Sequence, residues 1–463
     1  MYFEQFYLGC LAHASYMFGS DGQAAVVDPQ RDVEIYLEAA EKQGLQIRYI
    51  FETHLHADFV SGHKELSERT GADICIGKAA EAMFPHIGVS DGSEVHVGRC
   101  QVNVLATPGH TVESICLLLT DEEKSQTPFA VLTGDTLFIG DIGRPDLSKS
   151  YTPQQLAGMM YDSLHQKLMT LPNEVLVYPA HGAGSLCGRN MRAERSSTIG
   201  TERLTNYALQ IRDRDEFIRQ MTSNLPARPD YFLEDAAINR AGATALTELK
   251  ELQPIAAADL KDMLDEGAIV LDVRPGDQFA AEHVPGSINI ALSGQFASWA
   301  GAVLGLSSRP VLIAETQDQV NEARMRLARI GIEDMRGYLG DGVDGWKRAG
   351  SGVAQLPQMT VQELSQQLED PGLRVLDVRR QGEWDAAHIA SADWYPLDRF
   401  KAALPALEQD ARIAVHCKSG YRSMIAASLL QRAGYDVINV TGGFDAWEQA
   451  QLPTTATAAV GAH

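Results

Sequence analysis

The chain has 463 residues, of which 45% are hydrophobic and 22% charged; this composition is that of a globular protein, and the length is too great for one core. The formal net charge is −22, and an acidic surface of this kind disfavours nucleic acid and anionic membranes as partners. The first residues show no basic stretch followed by an apolar run, and no segment approaches the roughly 20 apolar residues that span a bilayer, so we expect a cytoplasmic protein.

The first 180 or so residues alternate short apolar runs with helical patterns, punctuated by Gly and Pro. Strands are predicted for AAVVD, IRYIFETH, QVNVLAT, SICLLL, FAVLTGD and EVLVYPAH, and a helix is predicted for VEIYLEAAEKQG. A helical stretch follows from about Thr198 to Met221, and 225–253 reads as an extension and linker. This order predicts an α/β domain over residues 1–253.

Four loops of this domain carry histidine and aspartate, residue types that commonly bind metals. Each follows an apolar strand at a Gly or Pro turn, where an α/β scaffold places functional side chains. The loops are 53–58 (THLHAD), 108–111 (PGHT), 133–135 (TGD) and 179–182 (PAHG). Four such loops in one domain predict a metal site at their meeting point.

These motifs resemble the metallo-β-lactamase superfamily over residues 1–225, which implies an αββα sandwich. The usual H-x-H-x-D-H motif is changed here, because Phe59 replaces its last histidine. Within the superfamily, the sequence looks most like the persulfide dioxygenases. That resemblance implies one Fe(II) per chain, bound by His54, His110 and Asp135 as two imidazoles and one carboxylate. It also implies that His56, Asp58 and His181 orient these ligands or water.

Three further residues of this domain are candidates for contact with the substrate. Arg144, in the stretch GRPD, resembles a loop beside the iron in persulfide dioxygenases; it binds an anionic persulfide or makes a structural contact with Asp146 or the backbone. Cys187, in a Gly-rich loop after His181, takes part in catalysis as in related fusion enzymes or is an inert loop cysteine. Tyr178 is expected to line the pocket.

The rest of the chain contains an internal repeat, which predicts two small α/β domains, each built around a mainly parallel sheet. The stretch 271–274 (LDVR) recurs at 376–379, and His283 recurs as His388 at the same offset. We expect these domains to cover residues 254–352 and 356–455.

The chain has six cysteines with no C-x-x-C pair, so we expect neither a disulfide framework nor a structural zinc site. Cys417 differs from most of the others, because it ends a strand and is followed by a tight loop and an amphipathic helix. Inward amides, the helix N-terminus, Lys418 and Arg422 would stabilise a thiolate or persulfide there. We expect this cysteine to be exposed and catalytic.

Residues 356–455 resemble a rhodanese domain with the loop 417–422, in which Cys417, Lys418 and Arg422 are catalytic. Ser419, Gly420 and Tyr421 complete the loop and are expected to contact the substrate. In the first copy, Ala314 takes the place of the cysteine and residues 315–319 (ETQDQ) replace the loop. We therefore interpret the first copy as inactive.

The whole chain resembles bacterial fusions of a persulfide dioxygenase with rhodanese domains. The resemblance implies oxidation of a small thiol persulfide by O2 to sulfite, sulfur transfer through Cys417 that forms or uses thiosulfate, and a homo-oligomer (dimer or tetramer). Two alternatives remain. The first is a zinc-dependent thioester hydrolase of the glyoxalase II type with appended sulfurtransferase domains. The second is a non-enzymatic sulfur carrier or sensor that stores sulfur on Cys417.

Overall fold

The computed structural model describes residues 1–148, 150–223, 225, 228–408 and 410–457. The chain divides into two compact units. The first comprises Met1–Leu249 with the short segment Ala328–Gly331, and the second comprises Lys250–Leu327 and the chain from Ile332 onward.

Within the described residues, the first unit is built on two six-stranded sheets. The strands of the first sheet, in spatial order, are β1 (Tyr2–Leu8), β2 (His13–Ser20), β3 (Gln23–Val27), β4 (Gln46–Glu52), β5 (Asp73–Gly77) and β6 (Ile87–Val89). Those of the second sheet are β7 (Glu94–Val97), β8 (Cys100–Ala106), β9 (Ile115–Asp121), β10 (Ala130–Gly134), β11 (Leu176–Pro179) and β12 (Ser197–Thr198). The pairs β3–β4, β4–β5, β5–β6 and β10–β11 are parallel, and the other neighbours are antiparallel.

The described residues of the first unit also form six α-helices. They are α1 (Glu34–Gln43), α2 (His63–Thr70), α3 (Pro153–Gln166), α4 (Ile199–Thr205), α5 (Arg214–Thr222) and α6 (Phe232–Ala241). No helix in the described part of the chain is long and apolar enough to cross a bilayer.

Three apolar layers hold the first unit together. Residues of both sheets, such as Phe18 and Leu117, pack between the sheets. Tyr36 of α1 packs with the outer face of the first sheet, and Met160 of α3 packs with Val131 on the outer face of the second. Burial of both faces of each sheet explains the continuous apolar runs, and the αββα sandwich expected from the sequence is confirmed.

The described part of the second unit contains two five-stranded sheets. The strands of the first are β13 (Pro254–Ile255), β14 (Val270–Asp272), β15 (Ile288–Asn289), β16 (Val311–Ile313) and β17 (Gly337–Leu339). The strands of the second are β18 (Gln358–Met359), β19 (Leu373–Asp377), β20 (Ala392–Trp394), β21 (Arg412–His416) and β22 (Asp436–Val440). Their spatial orders are β13-β17-β16-β14-β15 and β18-β22-β21-β19-β20, with every pair parallel, so the two copies share one topology.

Each copy carries its own set of helices. Those of the first are α7 (Ala257–Asp265), α8 (Gly276–Ala281), α9 (Phe296–Leu304), α10 (Gln317–Ala328) and α11 (Gly342–Arg348). Those of the second are α12 (Val361–Gln367), α13 (Gln381–Ala386), α14 (Tyr421–Arg432) and α15 (Gly443–Gln449).

The repeated LDVR stretch has a structural role in both copies. The Arg379 side chain forms a bidentate ion pair with Asp377, and Arg274 does the same with Asp272. All four residues are at most 8% exposed. Because a buried charge is tolerated only when it is paired, the two residue types recur together.

Candidate functional site

Two histidines and one aspartate meet where strands of both sheets end. His54 follows β4, His110 follows β8 and Asp135 follows β10 directly. His110 Nε2 lies 3.4 Å from Asp135 Oδ2, and His54 Nε2 lies 3.8 Å from the same oxygen. The ligand atoms of all three residues are within 4.8 Å of one another, and the three residues are at most 1% exposed.

The donor atoms of this group fit a single cation. Within the described residues, His110 Nε2 and Asp135 Oδ2 are buried without a hydrogen-bond partner, although buried polar atoms are almost always paired. Burial also holds the pKa of His54 and of His110 below its usual value, so both imidazoles are neutral and offer a lone pair.

Neighbouring groups fix the tautomer of His54. The Thr53 hydroxyl donates its single proton to Asp28 Oδ2 at 2.8 Å, so it can only accept from His54 Nδ1, 3.0 Å away. Nε2 of His54 is therefore the unprotonated nitrogen that faces Asp135. His110 is fixed in the same sense, because its Nδ1 donates to the carbonyl of Arg144 at 2.9 Å.

His181 holds the second oxygen of Asp135. Its Nδ1 donates to Asp135 Oδ1 at 2.8 Å, and its Nε2 lies 2.9 Å from Asp58 Oδ2. Burial opposes a charge on this ring, but the two carboxylates raise the pKa of His181 well above its usual value. His181 in turn outweighs the effect of burial on Asp135 and holds the pKa of that carboxyl well below its usual range. Asp58 and His181 therefore lie beside Asp135, in keeping with the orienting role that the resemblance implied.

Phe59 occupies the side of the site where the superfamily motif has a further histidine. Its ring centroid is 4.1 Å from that of His13 and 4.4 Å from that of His56. His56 is directed toward Asp28 Oδ1, at 3.2 Å, rather than toward the three metal ligands. The sequence did not indicate that His13 lies beside the site, because a single histidine at the start of β2 belongs to no motif.

Arg144 makes structural contacts with Asp146 and with the backbone, which was one of the two roles considered for it. Its guanidinium forms a bidentate pair with Asp146 at 2.6 and 2.8 Å and also donates to the carbonyl of Leu186. Its backbone N–H donates to the carbonyl of Cys187. Arg144 thus joins the Cys187 loop to His110, whose ring donates to the Arg144 carbonyl.

Cys187 is buried beside the orienting pair. Its sulfur and the ligand atoms of Asp58 and His181 lie within 4.8 Å of one another. Burial, with the charge of Asp58, raises the pKa of the Cys187 thiol well above its usual value. Asp141, which the sequence reasoning also missed, accepts the backbone N–H groups of Arg189 and Asn190 and so holds this loop in place.

Tyr178 has a different environment from the one expected. Its ring packs against Phe3 and Tyr16, with centroids 4.9 and 5.7 Å away. These contacts belong to the core between the sheets and support packing rather than a place in the pocket wall.

In the second unit, Cys417 lies at the end of β21 within a tight loop. The backbone N–H of Gly420 donates to the Cys417 sulfur at 3.1 Å, and Ser423 Oγ lies 3.6 Å from that sulfur. Cys417 is only 1% exposed, so the expectation of an exposed cysteine was wrong. The loop folds over its own sulfur, because Gly420 has a φ of +107° that turns its N–H inward. Lys418 and Ser419 are exposed on the outside of the loop.

Two loop residues have partners that the sequence did not indicate. The Arg422 guanidinium forms a bidentate pair with Glu383 at 2.6 and 2.7 Å, so its charge is compensated rather than free. Tyr421, which was expected to contact the substrate, instead donates its hydroxyl to the carbonyl of Ala291 in the first copy. A tertiary contact of this kind leaves no local pattern in the sequence.

The strand register shows which residue replaces the cysteine in the first copy. Asp377 is level with His416, which precedes Cys417, and Asp272 is level with Ile313, which precedes Ala314. Ala314 therefore stands at the position of the nucleophile, and the first copy has no thiol there.

Two family models match the chain. A family model described as the metallo-beta-lactamase superfamily matches residues 8–181, and a rhodanese-like domain model matches residues 256–349 and 360–450.

Relatives of two activities match the first unit. The mitochondrial persulfide dioxygenase ETHE1 of Mus musculus is 32% identical over 212 residues, which are 44% of this chain and 73% of the mouse protein. A hydroxyacylglutathione hydrolase of Rhizobium johnstonii is 34% identical over 227 residues, which are 47% of this chain and 81% of that protein.

A crystal structure of a metallo-beta-lactamase from Staphylococcus aureus covers 73% of this chain and 98% of its own, with 33% identity and a TM-score of 0.66.

Proposed function

Because the chain belongs to the metallo-beta-lactamase superfamily, has persulfide dioxygenases among its relatives and continues into two rhodanese-like domains, we propose that it is an enzyme that oxidises thiol persulfides and transfers sulfane sulfur. The first unit oxidises a small thiol persulfide with O2 to sulfite and the free thiol. The second unit carries sulfur on Cys417 and forms or uses thiosulfate.

One observation carries the first half of the proposal. His54, His110 and Asp135 present two neutral imidazoles and one carboxylate to a common point, and two of their ligand atoms have no hydrogen-bond partner among the residues that the structure describes. This donor set is that of non-haem Fe(II) oxygenases and leaves coordination positions open. An Fe(II) ion held there would supply the activation of O2 and the binding of the persulfide sulfur. The overall reaction balances as RSS⁻ + O2 + H2O → RSH + SO₃²⁻ + H⁺.

The surrounding residues keep the ligands in place. Thr53 and the Arg144 carbonyl fix the ring orientations of the two histidines, and His181 keeps Asp135 Oδ1 occupied so that Oδ2 faces the other ligands. Hydrogen bonds of this kind stabilise both the geometry and the basicity of metal ligands. Cys187 lies beside Asp58 and His181, but burial and the charge of Asp58 raise the pKa of its thiol well above its usual value, so its role as an inert loop cysteine is favoured over catalysis.

The Cys417 loop supports the second half. The sulfur attacks the outer sulfur of thiosulfate and releases sulfite, which gives Cys417–S–S⁻; a thiol then accepts the sulfane sulfur, or sulfite takes it back in the reverse direction. The Gly420 N–H donates to the sulfur and stabilises the anionic forms. Arg422 is held in a bidentate pair with Glu383, so the exposed Lys418 is the loop cation without that compensation.

Zinc-dependent hydrolysis of a glutathione thioester is the second candidate. It is favoured by the hydroxyacylglutathione hydrolase relatives and by the group Asp58, His181 and Cys187, which could hold a second cation. Phe59 and the orientation of His56 count against it, because a dinuclear site of this superfamily uses histidines at both positions.

Metal loading separates the two candidates. Full-length protein is loaded anaerobically with Fe(II) or with Zn(II), its metal content is measured, and it is assayed with glutathione persulfide and with a hydroxyacylglutathione. We expect one iron per chain and activity of the iron form toward the persulfide alone. Two bound zinc ions with thioester hydrolysis would support the second candidate instead.

A further inference from the structure

One face of helix α14 is packed against the first rhodanese-like domain. The side chains that make this contact are Tyr421, Met424, Ser428 and Gln431. They recur every three or four residues, which places them along a single face of the helix.

Two hydrogen bonds to backbone groups of the first domain hold this face in place. The Tyr421 hydroxyl donates to the carbonyl of Ala291 at 2.8 Å. Ser428 Oγ accepts the backbone N–H of Asn289 at 3.0 Å, and both of these residues are 1% exposed. Buried bonds between polar groups are costly to lose, because each partner would be left without water.

Gln431 and Met424 make the remaining contacts. Gln431 Oε1 lies 3.0 Å from Nε2 of His283, a fully buried histidine. Met424 lies over Gly276, so that a Cβ built on this glycine would come within 3.2 Å of the Met424 side chain. The first domain thus supplies a fitted surface along most of α14.

The N-terminus of the same helix touches the nucleophile. Gly420, which donates its N–H to the Cys417 sulfur, is followed directly by Tyr421. A shift of Tyr421 therefore moves the amide that faces the sulfur. The residue at this junction is held by Ala291, in a domain that has only Ala314 at the position of its own nucleophile.

We propose that the first rhodanese-like domain is a positioning element for Cys417, and that Tyr421 is the positioning residue through which it acts. The bond from Tyr421 to Ala291 sets the N-terminus of α14, which in turn sets the Gly420 N–H against the sulfur. The inference rests on the proposed sulfur transfer through Cys417, and it gives the degenerate domain a role in that reaction.

The test compares Tyr421→Phe with Tyr395→Phe in the full-length protein. Both changes remove a hydroxyl that donates to a backbone carbonyl at 2.8 Å. The Tyr395 hydroxyl, however, donates to Ala403 within its own domain. Alkylation of Cys417 by iodoacetamide is followed against pH by peptide mass spectrometry. Transfer of sulfur from thiosulfate to a thiol is measured alongside.

In Tyr421→Phe we expect kcat for sulfur transfer to fall roughly 3- to 10-fold, the effect of one lost hydrogen bond, while KM for thiosulfate changes little. We also expect the midpoint of Cys417 alkylation to move to higher pH, because the thiolate loses a well-placed donor. Tyr395→Phe should match the wild type in both measurements.

A Tyr421→Phe protein with the wild-type alkylation profile would overturn the inference, even if its melting temperature fell, because a merely structural contact changes stability alone. A wild-type protein that transfers no sulfur, together with a shifted alkylation profile in Tyr421→Phe, would leave the positioning role intact and reject the proposed transfer. The two claims can therefore fail separately.

Discussion

His181 donates from Nδ1 to Oδ1 of Asp135 at 2.8 Å, which leaves the other oxygen of Asp135 facing His54 and His110. Oδ1 of Asp135 thereby accepts the orienting hydrogen bond, and Oδ2 is available as the ligand atom. The available Oδ2 is the reason for assigning Asp135 to the metal site, and His181, which holds Oδ1, is the first residue to test.

Replacing His181 by alanine should weaken Fe(II) binding by about 10- to 100-fold, the usual cost of losing a residue that orients a metal ligand. Asp135 would keep its charge but lose its fixed direction. Affinity is measured by anaerobic titration of the full-length protein with Fe(II). His96→Ala, at an exposed histidine of β7, is the matched control and should bind iron like the wild type.

Gly143→Ala should abolish the metal site while the fold persists. A Cβ at this position would lie 1.9 Å from the carbonyl oxygen of Asp135 and 2.9 Å from His110 Nδ1, so both ligands must move. Iron content and the circular dichroism spectrum are measured together. Gly88→Ala, where the nearest atom is 3.6 Å away, serves as the control; iron retained in Gly143→Ala would refute the predicted clash.

Glu383→Gln should destabilise the second unit by about 1 kcal/mol or more at pH 7, because it leaves Arg422 without its charged partner. Burial opposes the charge of Glu383, but Arg422 prevails and lowers the pKa of Glu383 below its usual value. A depressed pKa stabilises the fold above the unfolded-state value and loses this effect as pH falls through the folded-state value. The difference between wild type and variant in urea unfolding should therefore be constant near neutrality and shrink below about pH 4.5. A difference that grows on acidification would contradict this pairing.

Introducing a cysteine into the first copy should not create a second sulfur carrier. In the double variant Ala314→Cys with Cys417→Ser, the new thiol is followed by an acidic stretch, and the Glu315 N–H donates to Gln319 rather than to a sulfur. After incubation with thiosulfate, the intact mass of the double variant should show no added sulfur. The single variant Ala314→Cys, which keeps Cys417, is the control and should gain one sulfur atom. A stable persulfide on the new cysteine would show that the loop is still functional.

Local patterns were enough to predict the fold class, and in the first unit six strands and one helix. The strands β3, β4, β8, β9, β10 and β11 and helix α1 lie where apolar runs and helical periodicity placed them. The stretch from Thr198 to Met221 did not form one helix, because Asn206 and Asp213 interrupt it and Asp213 caps a new helix, α5.

The candidate sites were predictable only in part. The four strand-end loops predicted a metal site from the residues alone, but the choice of His54, His110 and Asp135 as its ligands came from the family resemblance. The Glu383–Arg422 pair, the burial of Cys417 and the bond from Tyr421 to Ala291 depend on contacts between residues distant in sequence. No spacing rule encodes such contacts.

The central claim is most directly tested by oxygen uptake. Full-length protein loaded with Fe(II) is mixed with glutathione persulfide at an oxygen electrode, and sulfite and thiosulfate are quantified. We predict rapid uptake with sulfite as product in the wild type and in Cys417→Ser, no uptake in His110→Ala, and thiosulfate only where Cys417 is present. Absence of oxygen uptake by protein with confirmed iron occupancy would contradict the proposed oxidation of persulfides by the first unit.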